Sequence, residues 1–395
     1  MANILFILKS CDIGGVEIVT MELANKFVFE GHNVVVWSFY KGETSVVKRL
    51  DNRVQILYGS GYKVSKNNIR SLSNIISSHN IQIIINQWGL PYIPILTIKK
   101  AIKKQNVKII SVYHNDPLAN ERLKGVQFEL DICRNPIQKK FLKFKLWLFY
   151  QITSLSMRYT YRNSDRYMIL SSSFINRFKE FTRVSNLSKL VVQPNPITID
   201  KSNYVYNYSE KEKNIIYVGR LNHNQKRVSR IVDVWNLLED KFPDWQLSII
   251  GDGPERDNLE KKIKELDLKH ISIEGFRNPK AYYEKASILM LVSEFEGFPL
   301  VILEGMCYGV VPVVLGSYPA VYDIIDDKIN GIIIPYKREN GFSAELMAKE
   351  TGKLMKSADN NMKSLSLSAY KKSENFNMNN IYKSWNALLG SIFRE

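Results

Sequence analysis

Two carboxylates in the segment Ser293-Glu-Phe-Glu-Gly-Phe-Pro-Leu-Val-Ile-Leu-Glu304-Gly-Met, Glu296 and Glu304, stand with seven residues between them. Carboxylates accept hydrogen bonds from vicinal diols, so such a pair can hold a sugar with one member and a ribose with the other. Pro299 suits the first turn of a helix, which places Glu296 on the preceding loop and Glu304 about a turn inside. Backbone N–H groups between Phe298 and Val301, Leu300 among them, then meet a diphosphate at a helix N-terminus. A glutamate pair is otherwise a solvated helix face; the Gly297-Phe298-Pro299 insert argues for a site.

Cations sit on a second loop. Gly219-Arg220-Leu221, followed by Lys226-Arg227, comes directly after the apolar run Asn214–Gly219. Arg offers a fork to a phosphate and Lys a point charge; the alternative is a solvated basic loop. Gly14-Gly15 lies between an apolar run and a helical pattern, where it serves either a structural turn or an anion-binding loop. No GxGxxG fingerprint accompanies it.

The elements that must position these residues alternate. Apolar runs at 3–8, 34–39, 81–85, 107–112 and 166–170 read as buried parallel strands, with helical segments between several of them. The rhythm breaks at Gln193-Pro-Asn-Pro196, and residues 198–213 read as polar and unstructured. It restarts with strands at 214–219, 246–251, 270–275, 287–292, 310–314 and 331–334. Two successive α/β domains are expected, 1–197 and 198–376, with 377–395 as a terminal helix. Its apolar set Ile381, Trp385, Leu388, Leu389 and Ile392 predicts packing on the first domain.

Composition bounds the rest. The chain has 395 residues, 45% hydrophobic and 24% charged, which suits a folded protein and excludes collagen-like and disordered classes. Cys11, Cys133 and Cys307 form no CxxC pair, so neither a disulfide framework nor a structural zinc site is expected, and a reducing cytoplasm is. No signal peptide and no bilayer-spanning run is read. The net charge of +16 favours a polyanionic partner: nucleic acid, an anionic membrane or phosphorylated substrates.

Taken in order, Gly14-Gly15, Gly219-Arg220-Leu221…Lys226, Ile249-Ile-Gly251-Asp-Gly-Pro-Glu255 and Glu296-Gly-Phe-Pro-Leu…Glu304-Gly-Met resemble the family 4 retaining glycosyltransferases over essentially the whole chain. The resemblance implies a GT-B fold, two Rossmann-like doubly wound domains facing a cleft, the first binding acceptor and the second nucleotide-sugar. It implies that Glu296 contacts the donor sugar and Glu304 the nucleotide ribose, that Arg220 and Lys226 hold the diphosphate, and that His114 in Val112-Tyr-His-Asn115 sits beside the reacting sugar. The nucleobase pocket falls near Phe276-Arg277. Asn222-His-Asn-Gln225 and Leu315-Gly-Ser-Tyr-Pro-Ala320 depart from the family pattern.

The expected activity is transfer of a hexose-type sugar, with retention, from a UDP-linked donor to a glycan or lipid-linked glycan acceptor in surface polysaccharide synthesis. Neither metal nor cofactor is expected, since the cations stabilise the departing diphosphate and the nucleotide-sugar is a substrate. The alternatives are a UDP-sugar epimerase of the same architecture and a nucleic-acid-binding protein; the basic stretches look helical or loop-like, so nucleic acid is not expected as a partner. Between Arg134 and Arg166 eight cations alternate with Phe, Trp, Leu and Tyr against one acid, Asp165. That pattern reads as a helix lying on an anionic membrane, or else a core helix with a basic face; an enzyme at the inner face of the plasma membrane follows from the first reading.

Overall fold

The structure is a computed structural model that describes residues 1–103, 105–201, 204–337, 341–356 and 359–394. The chain divides into two compact units, Met1–Thr198 with Met378–Glu395, and Ile199–Asn377.

In the first unit the apolar runs become β1 (Asn3–Leu8), β2 (Asn33–Ser38), β3 (Gln55–Tyr58), β4 (Ile83–Asn86), β5 (Lys108–Tyr113), β6 (Arg166–Ile169) and β7 (Leu190–Val192). All pair in parallel, in the order β3-β2-β1-β4-β5-β6-β7. Central strands such as Ile83–Asn86 are buried at every residue, as a sheet covered on both faces requires. The order reverses between β1 and β4, so the loops after these two strands diverge at one edge. The short outer strands β3 and β7 were not among the expected runs. Their residues are half-buried or exposed, so they lack the continuous apolar signal of the centre.

The terminal helix Met378–Arg394 belongs to this unit. It buries Ile381, Tyr382, Trp385, Leu389 and Ile392, while Leu388 is only half-buried. The Phe27 ring meets Tyr382 at 5.4 Å and Trp385 at 5.9 Å, both edge-on, and His32 Nε2 lies 3.0 Å from the Tyr382 hydroxyl.

The second unit holds β8 (Glu212–Val218), β9 (Gln246–Ile250), β10 (Ile271–Gly275), β11 (Ala286–Leu291), β12 (Val311–Leu315) and β13 (Ile332–Ile334). These are also parallel, ordered β10-β9-β8-β11-β12-β13, with the reversal between β8 and β11. The expectation that 198–213 is unstructured is corrected for 204–213, while residues 202 and 203 lie outside the described residues. A short turn of helix spans Tyr208–Glu210 and β8 begins at Glu212. Tyr204 donates to the Tyr308 carbonyl at 2.8 Å, and Tyr206 to Ser366 Oγ at 3.0 Å while stacking on Tyr370. Aromatic anchors of this kind carry no periodic signal, which is why a polar stretch read as loose.

One helix is unlike the others. Pro136–Asn163 starts where Asn135 Oδ1 accepts from the N–H groups of Ile137 and Gln138, with Pro136 in the first turn. Its buried residues, Leu142, Thr153, Ser154, Met157, Thr160 and Tyr161, face the protein. Ile137, Phe141, Phe144, Leu148, Ile152, Leu155 and Tyr159 are all exposed, and their spacing of three or four sets them on one stripe of the opposite face. Among the described residues no helix is long and apolar enough to cross a membrane.

We expect Trp385→Ala to destabilise the first unit by about 3–5 kcal/mol, the range for emptying a buried Trp site, whereas half-buried Leu388→Ala costs far less. Urea unfolding of the two variants checks this; equal losses would contradict the packing described.

Candidate active site

The second unit's site grows from its strand reversal. The chain leaving β8 and the chain leaving β11 emerge side by side at the carboxyl edge, where α/β sheets bind ligands. Lys226 comes from the first loop and Glu296 from the second. Lys226 Nζ lies 2.5 Å from Glu296 Oε1, with side chains 16% and 9% exposed. A carboxylate this enclosed needs partners to offset lost hydration. Gln225 supplies another: its Nε2 donates to Glu296 Oε2 and to the Phe295 carbonyl, each at 3.2 Å.

Asn222 Oδ1 in turn accepts from the backbone N–H groups of Gln225 and Lys226 at 3.1 and 2.9 Å, fixing the loop's curl. Beside this, Glu294 accepts from Arg230 Nη2 and from the Tyr336 hydroxyl, each at 2.9 Å. Although burial opposes it, these two donors hold the Glu294 carboxyl below its usual range, so it stays anionic. Ser317 Oγ closes the loop from β12 by donating to the Ser293 carbonyl at 2.5 Å.

Glu304 sits in the helix Leu300–Met306, whose cap is Pro299; Phe298 and Pro299 are buried and Leu300 is half-buried. The Tyr283 hydroxyl donates to Glu304 Oε2 at 3.3 Å. Tyr283 is fully buried, and desolvation raises its phenol well above the ordinary value, so it remains a donor at neutral pH. Arg220 is exposed, and its carbonyl accepts from the buried Tyr217 hydroxyl at 3.0 Å. Gly251 has its role in packing: its φ is +155°, and a Cβ there would overlap the Gly219 carbonyl, so the loops after β8 and β9 can touch only with glycine present. Phe276 and Arg277 follow the edge strand β10 and are exposed, with Arg277 3.6 Å from Glu274.

The first unit presents a different set at its own carboxyl edge. His114 follows β5, and its Nε2 lies 2.7 Å from Gln87 Oε1 in the loop after β4. With that oxygen accepting, Nε2 carries the proton and Nδ1 is a buried acceptor without a partner among the described residues. Desolvation lowers the His114 pKa to about 4, which keeps the ring neutral near pH 7. Gly14 caps the helix Gly15–Phe29, and the space a side chain would take there is filled by the Glu17 carboxylate. A first-turn carboxylate already complements that helix's dipole.

The two halves of the chain match two family profiles, Glycosyltransferase Family 4 over residues 13–201 and Glycosyl transferases group 1 over residues 199–365. The chain belongs to these glycosyltransferases. A Campylobacter jejuni relative named as the alpha-1,4-N-acetyl-D-galactosaminyltransferase acting on GalNAc-alpha-(1->4)-GalNAc-alpha-(1->3)-diNAcBac-PP-undecaprenol is 26% identical over 398 residues, covering 99% of each chain. Among solved structures, the lipopolysaccharide outer core galactosyltransferase WaaB superposes with a TM-score of 0.66 at 20% identity over 98% of this chain and 99% of that one. Anabaena HepE in complex with UDP and glucose does so with a TM-score of 0.74 at 14% identity over 99% and 100%. The fold is therefore GT-B.

Within the glycosyltransferase's second unit, Lys226 and Glu296 meet directly. Arg220 stands on the same loop as Lys226 and Glu304 in the helix that follows Glu296, while Phe276 and Arg277 follow the sheet's edge strand. Gln225, Arg230, Glu294, Tyr283, Ser317 and Tyr336 escaped the sequence reading. Signals were visible for three of them: Glu294 stands two residues before Glu296, Gln225 precedes Lys226, and Gln225 and Ser317 lie in the two stretches that depart from the family pattern.

Because the folded His114 pKa lies below the unfolded value of about 6.5, the unfolded state binds the extra proton. This residue's contribution is therefore complete above pH 6.5 and declines as pH falls from 6.5 towards 4. We expect His114→Gln to flatten that part of the stability–pH curve, measured by urea unfolding at stepped pH.

Proposed function

We propose that this glycosyltransferase moves a sugar, with retention and without a metal ion, from a UDP-linked donor to a lipid-linked glycan during surface polysaccharide synthesis. The observation that carries the donor side is the Lys226–Glu296 pair at the strand reversal, with Glu304 one helix turn beyond. In this reading Arg220 and Lys226 neutralise charge on the departing diphosphate, Glu296 holds the sugar and Glu304 the ribose. Charge placed before the reaction needs no reorganisation during it. Neutral His114, with its free acceptor nitrogen, suits a sugar hydroxyl in the role the family resemblance gives it. The UDP and glucose bound by HepE and the polyprenyl diphosphate acceptor in the Campylobacter relative's name support the substrate classes.

Glu296→Ala is expected to lower kcat strongly, since contacts to the reacting sugar matter most in the transition state. Glu304→Ala is expected instead to weaken UDP binding by about 1.5–3 kcal/mol, the loss of one charged hydrogen bond. Incubation with a panel of nucleotide-sugars, reading donor hydrolysis with and without chelator, together with UDP titration, checks both. Equal small effects, a metal requirement, or an epimerised donor as product would overturn the assignment.

The acceptor side rests on the helix Pro136–Asn163. Its outward stripe of Ile137, Phe141, Phe144, Leu148, Ile152, Leu155 and Tyr159 runs about 33 Å at 1.5 Å per residue; Lys140 is exposed at the margin of the stripe, and Lys139 and Lys143 are exposed on the other faces of the same N-terminal turns. Exposed apolar surface on this scale marks a contact, and with exposed cations on the N-terminal turns of the same helix it fits an anionic bilayer surface. Each cation near such a leaflet contributes about 1 kcal/mol. Sedimentation with liposomes is expected to require anionic lipid, weaken with salt, and fail when Lys139, Lys140, Lys143 and Lys145 become Glu. Wild type that ignores anionic liposomes at low salt would place the acceptor in solution.

A further inference from the structure

Glu296 is gripped in two chemically different ways. Lys226 holds Oε1 through charge, and Gln225 holds Oε2 through a neutral amide that also takes the Phe295 carbonyl. Gln225 is fixed from the other side as well: its own carbonyl accepts from the Glu294 N–H at 2.7 Å and its N–H donates to Asn222. One residue of the loop after β8 therefore sets the backbone and the carboxylate of the loop after β11.

The two grips respond differently to a diphosphate. An ammonium has three donors and one charge, and a diphosphate draws both. Under the proposed function, Lys226 is shared between two anions and its hold on Glu296 weakens when the donor's charge is largest. An uncharged amide is not drawn away in this manner. We propose that Gln225 is the positioning residue of this site, keeping the Glu296 carboxylate aimed at the donor sugar while Lys226 turns to the diphosphate. The proposal rests on the functional reading above and names a residue in the stretch Asn222–Gln225, where this chain departs from the family pattern.

The test compares Gln225→Met, which keeps length and loses the donor, with Gln225→Glu, which sets a second carboxylate against Glu296. Both retain the backbone bonds of position 225. Two quantities are read: donor hydrolysis, split into kcat and KM, and the ratio of UDP to UDP-sugar dissociation constants, which isolates what the sugar adds to binding. For Gln225→Met we expect kcat to fall about tenfold, equivalent to about 1.4 kcal/mol, with UDP affinity within about twofold of wild type. Gln225→Glu should lose more, and in both variants the binding increment due to the sugar should shrink.

Unchanged kcat and an unchanged sugar increment would overturn the proposal. So would a parallel loss of UDP affinity and thermal stability, which would mark Gln225 as a loop support only. If wild type binds no UDP or UDP-sugar, the functional reading itself fails, a result distinct from either.

Discussion

An anionic side chain sunk at the edge of a protein must be paired, and the second unit is arranged around that requirement. Glu296 is 7% exposed and Glu294 lies beside it, half-buried, on the same short loop. Two neighbouring carboxylates repel, and each loses hydration on burial. The structure answers with a cation for each, Lys226 and Arg230, plus a neutral donor for each, Gln225 and Tyr336. All four donors come from segments remote from the carboxylates in sequence. Removing one member leaves a buried charge short of a partner, which costs more than the pair itself contributes.

That arrangement depends on sheet order. A parallel sheet built β10-β9-β8-β11-β12-β13 forces the chain to leave β8 and β11 in opposite directions, so their loops open a fork at the carboxyl edge. Close contact of the loops after β8 and β9 is possible because Gly251 and Gly253 carry no side chains. The first unit repeats the order, with its reversal between β1 and β4, and puts Gln87 and His114 on adjacent strand ends. Two sheets with the same logic thus present different chemistry: paired charges in one, a neutral imidazole and amide in the other.

The helix Pro136–Asn163 follows the opposite rule. Its protein-facing side is rich in Thr and Ser, while its outward side carries Phe, Leu and Ile. Thr160 Oγ1 and Ser154 Oγ donate to main-chain carbonyls, so small hydroxyls pack inward without leaving orphan donors. An apolar stripe left facing outward opposes solubility, and the inward Thr153, Ser154 and Thr160 add little hydrophobic gain beside Leu142, Met157 and Tyr161. Such a sequence is sensible where the outward face meets something other than water.

The residue types alone determined much. Continuous apolar runs marked the central strands, because strands covered on both faces must be apolar throughout. Glu296, Glu304, Arg220 and Lys226 could be named as candidates because their spacing around glycine and proline is local; of these the structure brings Lys226 and Glu296 into direct contact. The outer strands β3 and β7 and the anchors Tyr204 and Tyr206 were not, since half-buried or aromatic contacts leave no period. Which partner each charge would take was decided only by tertiary structure. Gln225, Arg230 and Tyr336 are ordinary polar residues in the sequence; the reversal of strand order brings the segment after β8, with Gln225 and Arg230, against Glu294 and Glu296, and Tyr336 reaches Glu294 from the segment after β13. The basic-aromatic stretch at 134–166 was visible as composition, but which of its faces is buried depends on where the fold supplies a surface for Met157 and Tyr161. Side-chain pairing across distant loops is a property of chain topology, and no local pattern encodes it.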